Sequence, residues 1–176
     1  MIRVVRGDLA EAGAQAILRP VTSDWAAVTP AMRRLEVAAG AELERQCRSL
    51  GELPVGSAVV TGAGDLAAEF MVHVVVRSIE QRVTASGVRR AFVAGLRRLE
   101  EWGIRRVAMP LLGTGAANLD AEESAALLVG VLAEAEAEGW APAEVVIVAD
   151  SDYEEAATLT RVRAAGQDIE GRAGSD

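Results

Sequence analysis

Arg105-Arg-Val-Ala-Met-Pro-Leu-Leu-Gly-Thr-Gly-Ala-Ala-Asn-Leu-Asp120 decides the fold. The apolar run Arg105–Pro110 reads as a strand. A glycine-rich turn then leads into a helix that Asp120 and Glu123 open as a capping box, with Leu127, Leu128, Val131 and Leu132 as its apolar face. The same alternation recurs on either side. Further strand candidates are Ile2–Arg6, Ala14–Leu18, Ser57–Thr61, Phe70–Val76 and Val145–Ala149. Met71-Val-His-Val-Val-Val76 and Val145-Val-Ile-Val148 are nearly all apolar, as strands covered on both faces should be. Thr29 before Pro30 starts a helix whose Met32, Leu35, Ala39 and Leu43 share a face. Ser86 is placed to cap a second, with Val88, Phe92, Leu96 and Leu99 inward and Gly103 ending it. Ser151 with Glu154 opens the last. Six strands among four helices predict a three-layer α/β/α sandwich with a mixed six-stranded sheet, one domain over residues 1–163. From Ala164 to Asp176 there is no apolar period, and a disordered tail is expected.

Composition narrows the function. The chain has 176 residues, 51% of them hydrophobic, and a formal net charge of -8. That length suits one core, burying ~70% of the surface of the unfolded chain without staples. All 18 basic residues are arginine. The lack of lysine excludes Schiff-base chemistry, pyridoxal phosphate attachment and a P-loop. A single cysteine, Cys47, and a single histidine, His73, are too few for a structural zinc site, and no metal or other cofactor is expected. No apolar run reaches the ~18 residues of a membrane helix, and the start lacks a signal-peptide pattern. A soluble cytoplasmic protein without a membrane partner is expected. The acidic balance speaks against direct nucleic-acid binding, and the arginine pairs at 33–34, 89–90, 97–98 and 105–106 read as solvated faces.

Two glycine turns compete as anion sites. Gly62-Ala-Gly-Asp-Leu-Ala67 matches the dinucleotide fingerprint G-x-G-x-x-A, but too few residues separate it from the strand at Phe70 for the helix that fingerprint must open. Gly113-Thr-Gly-Ala-Ala-Asn118 does sit between a strand and a capped helix. There, backbone N–H groups and the helix dipole suit a phosphate or diphosphate; the alternative is that these glycines serve geometry alone.

Four segments, in this order, resemble the macrodomain family of ADP-ribose-binding α/β/α modules. Val5-Arg-Gly-Asp-Leu9 is similar to the family's G-D-I/L turn, and Ala14-Gln-Ala-Ile-Leu18 to its D-A-I-V strand. The stretch from Val55 to Leu66, with Met71-Val-His-Val-Val75 after it, resembles G-x-A-x-x-T-x-x-x-x-L…x-I-H-x-V. Arg106 to Gly115 resembles I-A-F-P-x-x-S-x-G, and together the match covers about residues 2–155. The resemblance implies binding of ADP-ribose or a related adenine nucleotide. Asp8 would accept from the adenine amino group, and the Leu9 N–H would meet a ring nitrogen; otherwise Asp8 only caps a turn. Gly113, Thr114, Gly115, Ala116, Ala117 and Asn118 would cradle the diphosphate and distal ribose. Ala149-Asp150 falls where the family often puts an aromatic over the adenine, and Tyr153 could stack instead.

The first binding loop departs from that pattern. The family's N-A-A-N and the glycines after it are replaced by Arg19-Pro-Val-Thr22 and Ser-Asp-Trp-Ala-Ala-Val-Thr-Pro30, whose Trp25, Val28 and Pro30 should stiffen and narrow the loop. Catalytic residues are therefore not assigned. Arg19, Thr22 and Asp24 are the candidates: Arg19 as a phosphate clamp, Thr22 as a ribose or phosphate contact, Asp24 as a base. The bland readings are a strand-end arginine reaching solvent and an ordinary loop carboxylate. His73 reads as buried and hydrogen-bonded, Cys47 as unreactive. Three functions stay open. One is a reader of ADP-ribose or a related adenine diphosphate nucleotide, free or on a modified macromolecule. Another is a hydrolase that removes ADP-ribose. The third is a degenerate scaffold with another ligand or a protein-interaction role.

Overall fold

A computed structural model describes residues 1–115 and 118–167. Six strands form one sheet: β1 (Ile2–Arg6), β2 (Ala16–Thr22), β3 (Ala58–Gly62), β4 (Phe70–Arg77), β5 (Arg106–Met109) and β6 (Glu144–Ala149). Their order is β1-β6-β5-β2-β4-β3, parallel except for β3, which runs antiparallel to β4 at one edge. Five helices cover it: α1 (Pro30–Ala39), α2 (Ala41–Ser49), α3 (Ala85–Glu101), α4 (Ala121–Ala137) and α5 (Asp152–Ala164). One face packs on α3, α4 and α5 through residues such as Leu18, Val72, Val74, Phe92, Leu96, Leu128 and Val162. The other packs on α1 and α2 through Ile17, Met71, Val75, Met32, Leu35 and Leu43. The expected α/β/α sandwich with a mixed sheet is thus the observed one.

Local chemistry sets the element ends. Thr29, Asp120 and Ser151 each cap a helix as expected, their side chains accepting from the backbone N–H of Met32, Glu122 and Glu154. Two expectations need correction. The cap of α3 is Thr84, which accepts from Gly87 N, and Ser86 lies inside the first turn. The single helix expected from Thr29 through Leu43 breaks at Gly40 (φ 82°), giving α1 and α2. A side chain there would collide with the Asp65 carboxylate, because the 63–66 turn docks against this break, with Asp65 N donating to Ala39 O at 2.9 Å. Buried Val88, Phe92 and Leu99 anchor α3, each contributing about 1.5–3 kcal/mol of apolar transfer.

β2 runs past Leu18, where the sequence reading stopped it, to Thr22. It pairs with β5 only at Ala16↔Val107 and Ile17↔Ala108, while its other side stays paired with β4 along its length. β2 and β5 therefore part at their carboxyl ends, on the same side as the ends of β1 and β6. At the other end of the chain, α5 includes Ala164, expected as the first residue of the tail; residues 165–167 follow it, and 168–176 lie outside the described residues. No described helix is long and apolar enough to cross a membrane.

Candidate functional site

A cavity of about 220 Å³ opens where β2 and β5 part. Crevices at the carboxyl ends of parallel strands, where neighbouring strands lead to opposite faces, are the usual ligand sites of such sheets. Asp8 and Leu9 line it from the end of β1, Ala149 and Asp150 from β6, Pro110 and Leu111 from β5, and Pro20 from β2. The turn to α4 contributes Thr114 and Gly115, and α1 contributes Ala31, Met32 and Arg34 behind its cap, Thr29. Residues distant in sequence, Asp8 and the turn beginning at Gly113, thus border one cleft.

Each part is held in place. Gly7 and Asp8 leave β1 in an extended bend, and Asp8 caps a single 3-10 turn (Leu9–Glu11), one carboxylate oxygen accepting from Ala10 N at 2.9 Å. That bond takes Oδ1, and Asp8 is exposed at the cleft. Gly113 (φ 78°) makes the sharp turn after β5, and a Cβ there would lie within 3 Å of Val83 and Val88. The Gly113 and Gly115 carbonyls accept from Leu119 N (2.8 Å) and Asn118 N (3.2 Å). Glu154 ties this turn to β6: its carboxylate accepts from the Thr114 hydroxyl at 2.7 Å and from Asp150 N at 2.9 Å. Ala116 and Ala117, expected to share the cradle, lie outside the described residues.

Towards the expected distal end the cleft is tight. Gly113 and Asn118 line only a side space of about 20 Å³, with Thr114, Gly115, Val28, Thr29 and Arg77 around it. A Cβ on Gly115 would meet Thr29 Cγ2 at 3.3 Å and the Val28 carbonyl at 3.6 Å. Val28 lines this narrow space. Trp25 does not. It adopts a left-handed φ of 73°, unusual outside glycine, and its indole turns away from the cleft into the core, donating to Gly51 O at 2.6 Å.

The catalytic candidates are not at the cleft. Arg19 is neither a phosphate clamp nor a solvent-reaching strand end: it is 2% exposed, on the α1–α2 face of the sheet. Nε donates to His73 Nδ1 at 2.9 Å, Nη1 pairs with Glu36 at 2.7 Å, and Nη2 lies 3.9 Å from Cys47 Sγ. Nδ1 being an acceptor, the proton of neutral His73 sits on Nε2 and points at Thr61 Oγ1, 2.8 Å away. His73 is buried and hydrogen-bonded, as expected from the sequence, and burial, then the Arg19 charge, pushes it well below the usual imidazole range, so it is neutral. Burial raises the Cys47 thiol, with Arg19 opposing, which leaves little thiolate at neutral pH. Thr22 is buried, accepts from Ala26 N at 2.8 Å and binds the Asp24 carboxylate, so both close the 22–26 loop on itself. Asp24, with Arg19, faces a different depression beside Trp25 and α2.

Tyr153 does not stack over the cleft either. Its hydroxyl donates to the Asp120 carboxylate (2.8 Å to Oδ2), and that negative partner raises the phenol. Two charged lining residues, Arg34 and Glu154, are not among the site residues expected from the sequence. Both look like ordinary helix-surface charges, and only the position of their helices beside the cleft marks them out.

A family model, Macro domain, matches residues 31–128, and the chain belongs to that family. A protein of Aeropyrum pernix is 32% identical over 126 residues, 71% of this chain and 67% of that protein. O-acetyl-ADP-ribose deacetylase 1 of Pantoea vagans is 27% identical over 137 residues, 74% of this chain and 80% of that enzyme. The chain's match to a relative in Mycobacterium tuberculosis spans only 26% of that longer protein. Among solved structures, the Oceanobacillus iheyensis macrodomain with ADP superposes with a TM-score of 0.82 at 18% identity, covering 92% of this chain and 89% of the other.

Proposed function

We propose that residues 1–163 bind ADP-ribose or a related adenine diphosphate nucleotide in the cleft between Asp8 and the Gly113–Asn118 turn. The observation that carries this reading is the meeting of the two segments in one cavity at the carboxyl ends of β1, β2, β5 and β6. The carboxylate of Asp8, with Oδ2 outside the local turn, accepts from the adenine amino group, and the Leu9 N–H meets a ring nitrogen. Thr114 and Gly115 border the diphosphate, where the N-terminal end of α1 brings Arg34, the one basic residue lining the cavity among the described residues. Arg34 supplies the charge that backbone N–H groups of a glycine-rich first loop would otherwise supply. Asp150 and Glu154 hold the adenine end. The family and the ADP in a structural neighbour support a nucleotide of this class.

Binding is favoured over hydrolysis because Arg19, Thr22 and Asp24 spend their polar groups on one another's surroundings and none of them lines the cavity. The name of the Pantoea relative, an O-acetyl-ADP-ribose deacetylase, keeps hydrolysis of an ADP-ribose derivative as the second reading. Titration calorimetry and thermal shift with ADP-ribose, ADP, AMP, NAD and phosphate decide between them. A true ligand at ~100 times its dissociation constant adds about 2.7 kcal/mol of stability. No response to any adenine nucleotide overturns the proposal. Steady release of ADP-ribose from a modified protein would replace it with the enzymatic reading.

A further inference from the structure

At the β3 edge of the sheet, β3 has no outer neighbour among the described residues. A trough of about 400 Å³ runs between this edge and α3, lined by Gly56, Ser57, Ala58, Arg90, Arg97 and Arg98 together with Arg89 and Glu101. In a chain of net charge -8, four arginines against one glutamate is a local reversal of sign. Arg89 pairs with Glu134 and Arg98 with Glu101, while Arg90 and Arg97 have no carboxylate partner among the described residues.

Ser57 and Ala58 border the trough, and Val60 and Gly62 continue the same strand edge beyond it. Along an antiparallel pair, bonded and non-bonded residue pairs alternate. The bond from Val75 N to Ser57 O fixes the phase, so Val59↔His73 and Thr61↔Met71 are the bonded pairs. The backbone groups of Ala58, Val60 and Gly62 then face outward. Two side chains agree with this direction: Arg98 Nε donates to Ala58 O at 3.1 Å, and the Thr61 hydroxyl donates to Gly62 O at 2.8 Å. The N–H and C=O of Val60 are left for an incoming strand. Arg90 lies against Gly56 at one end, where a Cβ would come within 3.0 Å of it. Arg90, Ala94, Arg98 and Trp102 follow at one-turn spacing along α3. Trp102, 54% exposed, stands at the other end, edge-on to Phe70, the register partner of Gly62.

We propose that this edge accepts an extended acidic peptide segment of a partner protein as a seventh strand. Its main chain pairs with Val60, its carboxylates face Arg90 and Arg97, and an apolar residue lies on Trp102. A single-stranded nucleic acid fits less well: the free groups are a main-chain donor and acceptor at strand spacing, and the one indole stands at the end instead of between the arginines. The site lies beyond β4 from the nucleotide cleft, so it does not depend on that reading.

Anisotropy of a fluorescein-labelled peptide of alternating Glu and Val, titrated with the full chain, tests this. Saturable binding that weakens as salt rises is expected, with none for a Lys–Val peptide. Arg90→Glu with Arg97→Glu should abolish it. Val60→Pro, which removes the outward N–H without breaking a β3–β4 hydrogen bond but also trims a half-buried side chain packed on the core, should weaken it about tenfold. If that variant folds poorly, slowed amide exchange at Val60 in the wild-type complex gives the same answer. Failure of the Glu–Val peptide to bind, binding indifferent to Val60→Pro with no protection of the Val60 amide, or capture of oligothymidine in its place would each overturn the proposal. The first of these would leave the arginines as guards of a bare edge.

Discussion

Asp8, just past the end of β1, and Arg19, within β2, are charged residues of strands that β6 and β5 separate in one sheet, and they meet opposite fates. Asp8 stands where β1 stops, its carboxylate anchored by one local bond and otherwise facing an open cleft. Arg19 sits mid-strand under α1 and α2, its donors directed at His73, Glu36 and Cys47. A charge that costs several kcal/mol to desolvate persists inside a core only when its partners are there too. A polar group left without such company at the end of a strand is free for a ligand. From sequence alone both looked like site residues; the completeness of their bonding separates them.

The largest effect that separates them further is Arg19→Ala. It strands Glu36 and leaves His73 Nδ1 without its donor, and should lower unfolding free energy in urea by about 3–5 kcal/mol. Replacing Arg19 and Glu36 together with methionine should cost far less. Equal losses in the two variants would show that packing, not the pair, matters. Next comes Asp8→Ala, expected to weaken ADP-ribose binding by about 1.5–3 kcal/mol with little change in stability, read by calorimetry. Normal binding by this variant would remove Asp8 from the site and with it the contrast to Arg19.

A smaller effect concerns His73. Its folded-state pKa lies below the unfolded one, so the unfolded chain takes up a proton first as pH falls. Stability is therefore fully present above about pH 6.5 and declines below it, by at most about 1.4 kcal/mol per pH unit, until the folded imidazole protonates too. Urea melts over that window should be steeper in pH for the wild type than for His73→Gln; parallel curves would mean that His73 titrates alike in the folded and the unfolded chain. Smallest of all, Tyr153→Phe should leave nucleotide affinity unchanged, since the hydroxyl is engaged with Asp120 outside the cleft. A marked loss would restore Tyr153 to the adenine end.

Local signals carried most of the fold. Apolar runs of strand length and the caps at Thr29, Asp120 and Ser151 are decided within a few residues, and all six strands and three of the expected caps follow from them. Where the deciding partner is remote, local reading fails. Arg19-Pro20 looks like a loop, yet β2 continues through it because Glu36 and His73 receive the guanidinium. Gly40 looks like a tolerated helical glycine until the 63–66 turn docks on it. Thr84 and Ser86 are equivalent caps on paper, and chain direction out of the preceding loop selects Thr84. In the cleft, Asp8, Leu9, Thr114, Gly115 and Asp150 were legible through family-like motifs. Arg34 and Glu154 were not, because a charge on a helix surface carries no mark of what stands opposite it.

Pro20 and Pro110 flank the gap between β2 and β5. Neither imino acid owns an amide hydrogen, so neither can donate in a further rung between these two strands. The gap is thus favoured by the backbone itself, whatever side chains surround it.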